Sequence, residues 1–325
     1  MKVIVDDKIP YIRGQIEQLA DEVVYLSGSA IKHEDVKNAD VLIVRTRTRC
    51  DRNLLEDSKV RLIVTATIGY DHIDTEYCEA AGIKWTNCPG CNANSVCQYV
   101  HHALEATEFL RASLTVGIVG VGHVGSLVAK DLEQSGMHVL LCDPPREVAN
   151  DFVPNHPFVS LQTIQAEANI ITFHTPLMKT GPYASYHMAD EVFFHQLPRR
   201  PLIINASRGG VVDNEALLRA LHDGRVASAV IDTWEGEPDI NLELLQQVAI
   251  GTPHIAGYSA DGKANATRMS LEAVAQFAGV DFVPQITLPD APKLSVETLK
   301  DDSERLKRHP ELFEQLRGDY PIRRE

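Results

Sequence analysis

No run of apolar residues in this 325-residue chain approaches the ~18 that a membrane-crossing helix needs, so a membrane-spanning protein is excluded. A secretory leader is not expected either. The N-terminus, Met1-Lys2-Val3-Ile4-Val5-Asp6-Asp7, soon turns acidic and offers no small-residue cleavage site, which points to a cytoplasmic chain. Linkers rich in Pro, Gly or Ser, low-complexity tracts and repeats are absent. Positive charge is in the minority: 31 Lys and Arg against 45 Asp and Glu leave a net charge of −14. Such a surface repels nucleic acid and anionic lipid, and neither is expected as a partner. Cysteine is sparse, at six residues, and in a long chain without a leader no disulfide framework is expected. Cys88-Pro89-Gly90-Cys91 has the spacing of a redox or zinc half-site. No second pair stands at zinc-ligand spacing and no thioredoxin-like aromatic precedes it, so it reads as a turn and no metal is expected.

What the chain does have is enough apolar residue, 44%, for two domains of ordinary size. Short β-branched runs recur at Val3–Val5, Val41–Val44, Leu62–Val64, Val116–Val119, Val139–Cys142, Ile170–Phe173, Leu202–Asn205, Ala229–Ile231 and Val248–Ile250. Between them lie helical patterns such as Asn94–Leu110, Val124–Gln134, Asn214–His222 and Gly262–Phe277. Unalternated apolar runs predict strands buried on both faces, and their alternation with helices predicts a doubly wound parallel α/β architecture. The helix Asn94–Leu110, with Asn94-Ser95 as its N-cap, reads as a joint between two such sheets, with a cleft between them. The tail, punctuated by Pro284, Pro289, Pro292, Pro310 and Pro321, reads as an appendage of short helices.

Val116 to Gly125 is a strand running into G-x-G-x-x-G. Gly120 permits the tight turn, Gly122 lets a pyrophosphate approach the backbone, and Gly125 lets the helix beginning near Val124 pack on the strand. The helix N-terminus supplies free N–H groups for phosphates. A second strand delivers Asp143, eighteen residues after Gly125, where an acid can accept both ribose hydroxyls. NAD is therefore favoured over NADP, with Arg146 nearby as a contrary sign. A methyltransferase also uses a glycine loop followed by an acid.

Three later segments end strands of the same sheet: Asn205 to Gly210, Asp232 to Pro238 and Gly251 to Ala256. They bring a guanidinium (Arg208), several carboxylates and an imidazole (His254) to one rim. Oxidising a 2-hydroxy acid needs a fork-shaped cation for the carboxylate, a base for the hydroxyl proton and an acid to tune that base. His101 and His102 fall inside the joint helix and read as structural; His174 follows a strand and can support the site.

Together Gly120–Gly125, Arg208, Asp232–Pro238 and His254 resemble the D-isomer-specific 2-hydroxyacid dehydrogenases. Further words carry the likeness: Asn87–Ala93, His174–Leu177 with Gly181-Pro182-Tyr183, and His254–Tyr258. The Gly-Pro-Tyr element and Tyr258 set one branch apart, in which the substrate is a small phosphorylated 2-hydroxy acid. The resemblance implies two Rossmann-like domains: a substrate-binding domain from 1–90 and 256–285, an NAD-binding domain at 91–255, and a shortened C-terminal dimerisation segment at 286–325 in a homodimer. It implies that Arg208 clamps the substrate carboxylate, that His254 exchanges the C2 hydroxyl proton, and that Glu237 holds His254 and stabilises its imidazolium. Gly120, Gly122, Val124, Gly125, Asp143, Thr175, Ala206, Ser207, Arg208, Asp232 and Gly257 match cofactor positions. Thr46, Thr67, Arg208 and Tyr258 match substrate contacts, and Arg45, opening the run to Arg49, could supply local positive charge for a phosphate. Two alternatives stay open: a sibling acting on phosphoglycerate or glycerate, and a non-catalytic NADH-sensing protein of the same fold.

Overall fold

A computed structural model describes residues 1–151, 153 and 156–325. They divide into two compact units: Met1–Asn92 with Ser259–Ala291, and Ala93–Tyr258 with Pro292–Glu325.

The first unit is built on a five-stranded parallel sheet of β1 (Lys2–Asp6), β2 (Glu22–Leu26), β3 (Val41–Val44), β4 (Leu62–Thr65) and β5 (Lys84–Thr86), in the order β2-β1-β3-β4-β5. Alternation of side chains along the central strands divides its core between two faces. Val41 and Ile43 join Val3, Val5, Leu62 and Val64 on one side, under Leu271 and Val274 of the helix Ala260–Ala278. Leu42 and Val44 join Ile4 and Ile63 on the other. β2 and β5 have no counterpart among the predicted runs. Both are edge strands: β2 is only part-buried, and β5 is three residues beginning at exposed Lys84, so neither carries an unbroken apolar signal.

The second unit holds a six-stranded parallel sheet of β6 (Thr115–Val119), β7 (His138–Cys142), β8 (Ile170–Phe173), β9 (Leu202–Asn205), β10 (Ser228–Ile231) and β11 (Ile250–Gly251), ordered β11-β10-β9-β8-β6-β7. The chain leaves β6 for β7 on one side and returns to β8 on the other. The strand order therefore reverses between β6 and β8, and the crevice beyond their carboxyl ends is where open α/β sheets bind ligands. Gly120 to Gly125 follows β6, and His174 to Pro176 follows β8.

The joint helix and β11 are bounded differently from the sequence pattern. The joint helix spans Ala93–Ala106, not Asn94–Leu110, because Glu108 takes a positive φ of 61° and the N–H groups of Phe109 and Leu110 both turn back to the carbonyl of Leu104. Ser95 is not its cap but lies within it, buried, its hydroxyl donating to the Ala256 carbonyl at 2.8 Å. β11 begins at Ile250, not Val248, because Val248 closes the helix Leu242–Gln247 and its carbonyl accepts from Lys307 Nζ at 2.6 Å.

The C-terminal residues belong to the second unit. The helix Val296–Arg308 packs on Ala93–Ala106 and β11, burying Leu299 and Leu306 completely, and Ser303 Oγ accepts from the Gly251 N–H at 3.0 Å. Behind it Asp302 accepts from the Tyr320 hydroxyl at 2.8 Å, and burial pushes its carboxyl from 3.8 up to about 6. A carboxyl raised on folding destabilises the fold above pH 6, and that cost fades as pH falls towards 4. Asp302→Asn, which keeps the acceptor for Tyr320, is expected to stabilise by about 2 kcal/mol at pH 8 and by little at pH 4.5. Melting curves at the two pH values check this; an equal gain at both refutes the assignment. No helix among the described residues is long and apolar enough to cross a membrane.

Candidate active site

In the second unit the glycine loop is locked by contact. Gly120 has φ +88°, and a Cβ there would sit 2.8 Å from the His174 carbonyl; a Cβ on Gly125 would lie 2.0 Å from the Gly120 oxygen. Only hydrogen fits at either place, so the loop after β6 is pressed against both its own helix and the segment after β8. Gly122 differs, since a Cβ there would meet nothing within 4 Å. It precedes the helix His123–Gln134, whose first turn has no side-chain cap and presents its N–H groups and the positive end of its dipole. Val124 stands in that turn, half-buried.

Beside the loop, Thr175 Oγ1 is buried without a hydrogen-bond partner among the described residues. A buried hydroxyl left unpaired is costly, and here it borders an open cradle lined by helix N–H groups. The residues present fit a dinucleotide. Thr175→Val should leave the melting temperature unchanged, since no protein hydrogen bond is lost, and should weaken NAD roughly three- to tenfold. Fluorescence titration with NAD checks it; unaltered affinity would remove Thr175 from the cofactor contacts.

Asp143 stands at the end of β7, as the spacing requires, and each of its oxygens accepts a backbone N–H: Oδ2 from Val121 at 2.7 Å and Oδ1 from Arg146 at 3.1 Å. It thus shapes the glycine loop while keeping lone pairs for ribose hydroxyls. The Arg146 guanidinium is engaged by Asp151 at 2.8 Å and by the Val121 carbonyl, which removes it as a ready partner for a 2′-phosphate. His174 is not a titrating participant: burial pushes its imidazole down to about 4, and its Nε2 meets Thr172 Oγ1 at 3.0 Å.

The catalytic candidates follow β9, β10 and β11. After β9, buried Asn205 organises the turn: its Oδ1 accepts from the Ser207 N–H and hydroxyl, and its Nδ2 donates to the Arg208 carbonyl at 3.0 Å. Ala206 and Ser207 lie in that turn, and Arg208 Nη1 donates to the Ser207 carbonyl at 2.8 Å. After β11, His254 adopts φ 57°, a left-handed conformation uncommon outside glycine and frequent at functional sites. Its Nδ1 meets Glu237 Oε2 at 2.9 Å and Oε1 at 3.2 Å. A carboxylate only accepts, so Nδ1 carries the proton and Nε2 is left as the basic nitrogen.

Burial alone would push the Glu237 carboxyl up. The His254 contact, the Trp234 N–H and the Arg317 guanidinium together hold it below its ordinary value of 4.5. Its contribution to stability is therefore complete above that value and lost as pH falls through the depressed one.

Asp232 sits deeper, 1% exposed. Its carboxylate accepts from Thr252 Oγ1 at 2.7 Å and from the N–H groups of Ile255 and Ala256 at 2.8 and 3.0 Å, and its carbonyl accepts from the His254 N–H. Burial still raises its carboxyl above the ordinary value. In this position it fixes the turn that carries His254, beside Gly257 and Tyr258. The Tyr99 hydroxyl continues the chain to Thr252 at 2.6 Å, and Trp234 Nε1 donates to the Thr252 carbonyl. Tyr99, Thr252 and Arg317 escaped the sequence reading as supporting residues, because their partners lie far along the chain.

The expected substrate contacts Arg45, Thr46 and Thr67 belong to the first unit. Thr46 is exposed, and the Thr67 hydroxyl donates to the Gly69 carbonyl at 2.8 Å. Arg45 pairs with fully buried Asp6 at 3.1 Å and Arg49 with Asp51 at 3.0 Å, so the run Arg45–Arg49 carries less unanswered charge than its composition suggests. Cys88 and Cys91 are buried reduced thiols in a turn, and burial pushes Cys88 up to about 11, far from a reactive thiolate. His187, Asp213 and Glu235 converge within ligand range, but His187 Nε2 already meets Glu235 at 2.6 Å and Asp213 caps the helix Asn214–His222, so the cluster reads as a structural knot.

Comparison with known proteins gives the family of the chain. Relatives named erythronate-4-phosphate dehydrogenase share 54% identity in Bacteroides thetaiotaomicron, covering all of this chain and 97% of that protein, and 42% in Porphyromonas gingivalis, covering all and 94%. The chain belongs to the erythronate-4-phosphate dehydrogenase family. Residues 99–256 match the D-isomer specific 2-hydroxyacid dehydrogenase NAD-binding domain. Among solved structures, D-lactate dehydrogenase of Aquifex aeolicus with NAD and lactic acid is 25% identical with a TM-score of 0.70, over 86% of this chain and 96% of that one. NAD-bound 3-phosphoglycerate dehydrogenase of Entamoeba histolytica is likewise 25% identical, with a TM-score of 0.70, over 89% and 99%. The expected doubly wound pair of α/β domains is thus the fold of the family. This chain is an NAD-dependent oxidoreductase acting on a CH–OH group, and the methyltransferase reading is set aside.

Proposed function

We propose that this enzyme oxidises 4-phospho-D-erythronate to 2-oxo-3-hydroxy-4-phosphobutanoate, in the formation of pyridoxal 5′-phosphate. The observation that carries the reading is the His254–Glu237 pair at 2.9 Å beyond a sheet whose full-length relatives bear that substrate's name. NAD, when bound, supplies the hydride acceptor. Its phosphates fit the N–H groups after Gly122, its ribose hydroxyls Asp143, and its nicotinamide end the side formed by Ala206, Ser207, Asp232 and Gly257. Arg208 would hold the substrate carboxylate through its fork of donors and orient C2. Tyr258 would meet the remainder of the phosphorylated acid, while Thr46, Thr67 and Arg45 are carried as substrate contacts by the family likeness alone.

As C2 loses its hydride, the C2 hydroxyl releases its proton to His254 Nε2. Glu237 stabilises the resulting imidazolium, and the same proton is returned when the keto acid is reduced. One alcohol is oxidised by two electrons, one NAD is reduced, and one proton is released.

The test is NADH absorbance with 4-phospho-D-erythronate, 3-phosphoglycerate and glycerate as separate substrates. A preference for erythronate 4-phosphate of at least tenfold in kcat/KM is expected, whereas equal rates would assign the enzyme to a sibling activity. NAD binding without turnover of any of the three would favour the NADH-sensing reading. The six reduced cysteines, most of them buried, suit a reducing cytoplasm. A homodimer is carried over from the family likeness, and light scattering checks it.

A further inference from the structure

The C-terminal segment reaches the catalytic pair. Arg317, in the short helix Phe313–Gly318, places Nη1 3.5 Å from Glu237 Oε2, on the oxygen that also faces His254. It hydrogen-bonds Tyr258 as well, and its side chain is only 25% exposed. Two further anchors flank the contact. The Tyr320 ring stands edge-on to Tyr258 at 6.3 Å, and Arg323, 4% exposed, donates to the Ala256 carbonyl at 2.9 Å and to Ser95 Oγ at 2.8 Å. The turn Ile255–Tyr258, which follows the histidine, is therefore gripped by the tail on both sides. Surface ion pairs are worth little, but this one is mostly desolvated and shares its carboxylate with the base.

We propose that Arg317 is a positioning residue: it holds Glu237 and Tyr258 in one arrangement about His254, and its charge offsets part of Glu237's pull on the imidazolium. This rests on the reading of His254 as the base and Tyr258 as a substrate contact. The charged and titratable groups facing this cluster are Glu237, Asp232, Tyr258, Tyr320, Arg323 and Glu314, the last 3.7 Å from Arg317. Removing the guanidinium leaves Glu237's charge unopposed, so His254 keeps its proton to higher pH. Removing Glu237's charge does the reverse.

The experiment measures pH profiles of kcat/KM for oxidation of 4-phospho-D-erythronate in wild type, Arg317→Gln, Arg317→Lys, Glu237→Gln and His254→Asn, with melting curves and NAD affinity alongside. Arg317→Gln is expected to move the acid limb up by about half a pH unit, Glu237→Gln to move it down by a similar amount, and Arg317→Lys to return it to the wild-type position. Through Tyr258, Arg317→Gln should raise KM about five- to tenfold, with kcat on the pH plateau within threefold and NAD affinity unchanged. An acid limb that does not move in Arg317→Gln overturns the proposal, as does Arg317→Lys behaving like Arg317→Gln. If Arg317→Gln melts below the assay temperature, the folded Arg317→Lys variant decides: loss of the wild-type limb in it overturns the electrostatic role. Near-normal turnover in His254→Asn would instead sink the underlying assignment of the base, so the two failures are separable.

Discussion

His254→Asn is expected to lower kcat for oxidation by about 10³ while NAD affinity stays within threefold. Asparagine is the right replacement because His254 holds φ 57°, where asparagine sits comfortably and alanine does not. The backbone bond from the residue 254 N–H to the Asp232 carbonyl, 2.8 Å, survives the exchange, so the turn keeps its course and the fold is tested separately from the chemistry. What disappears, in the proposed mechanism, is the nitrogen that would accept the hydroxyl proton and the imidazolium that Glu237 would stabilise. Without them the proton must leave to water as the hydride departs, and the barrier rises by about 4 kcal/mol, the equivalent of that factor. Stopped-flow NADH absorbance, with NAD titration in parallel, checks both halves. Turnover within a few-fold of wild type would show that another group is the base.

The second large effect is expected at Arg208. Arg208→Gln should reduce kcat/KM by about 10³, and Arg208→Lys should recover roughly tenfold of the loss. The reasoning is geometric as much as electrostatic. Asn205 clamps the turn by accepting from Ser207 and donating to the Arg208 carbonyl, and the guanidinium is steadied by the Ser207 carbonyl at 2.8 Å. In the proposed complex the fork would therefore meet the substrate carboxylate with little ordering left to do. Lysine replaces the charge but not the two parallel donors. Isothermal titration with the acid and NADH kinetics separate binding from turnover. A lysine variant as active as wild type would mean that only the charge matters, and an active glutamine variant would remove Arg208 from the site.

Much of this was legible in the chain. β3, β8 and β9 read directly as apolar runs, because strands covered on both faces have no polar side to show. The glycine loop was legible because close approach leaves room for hydrogen alone, which restricts Gly120 and Gly125 to a single residue type. Arg208, Glu237 and His254 were legible because each follows a strand of one parallel sheet, and parallel strands deliver their carboxyl ends to the same side. Edge strands β2 and β5 were not, since half-exposed backbone tolerates mixed residues. The end of the joint helix was missed for a related reason: its stop depends on the turn of Glu108 and not on any glycine or proline.

By itself, then, the sequence determined the fold class and the cofactor, properties that local pattern and strand order carry. Tertiary structure alone decided what stands behind them. The Tyr99–Thr252–Asp232 chain under the histidine turn, the capture of Arg45 by Asp6 and the reach of Arg317 to Glu237 join residues tens to hundreds of positions apart. Hydrogen bonds and ion pairs of that kind have no period and no spacing, and they exist only once packing has brought their atoms within about 3 Å.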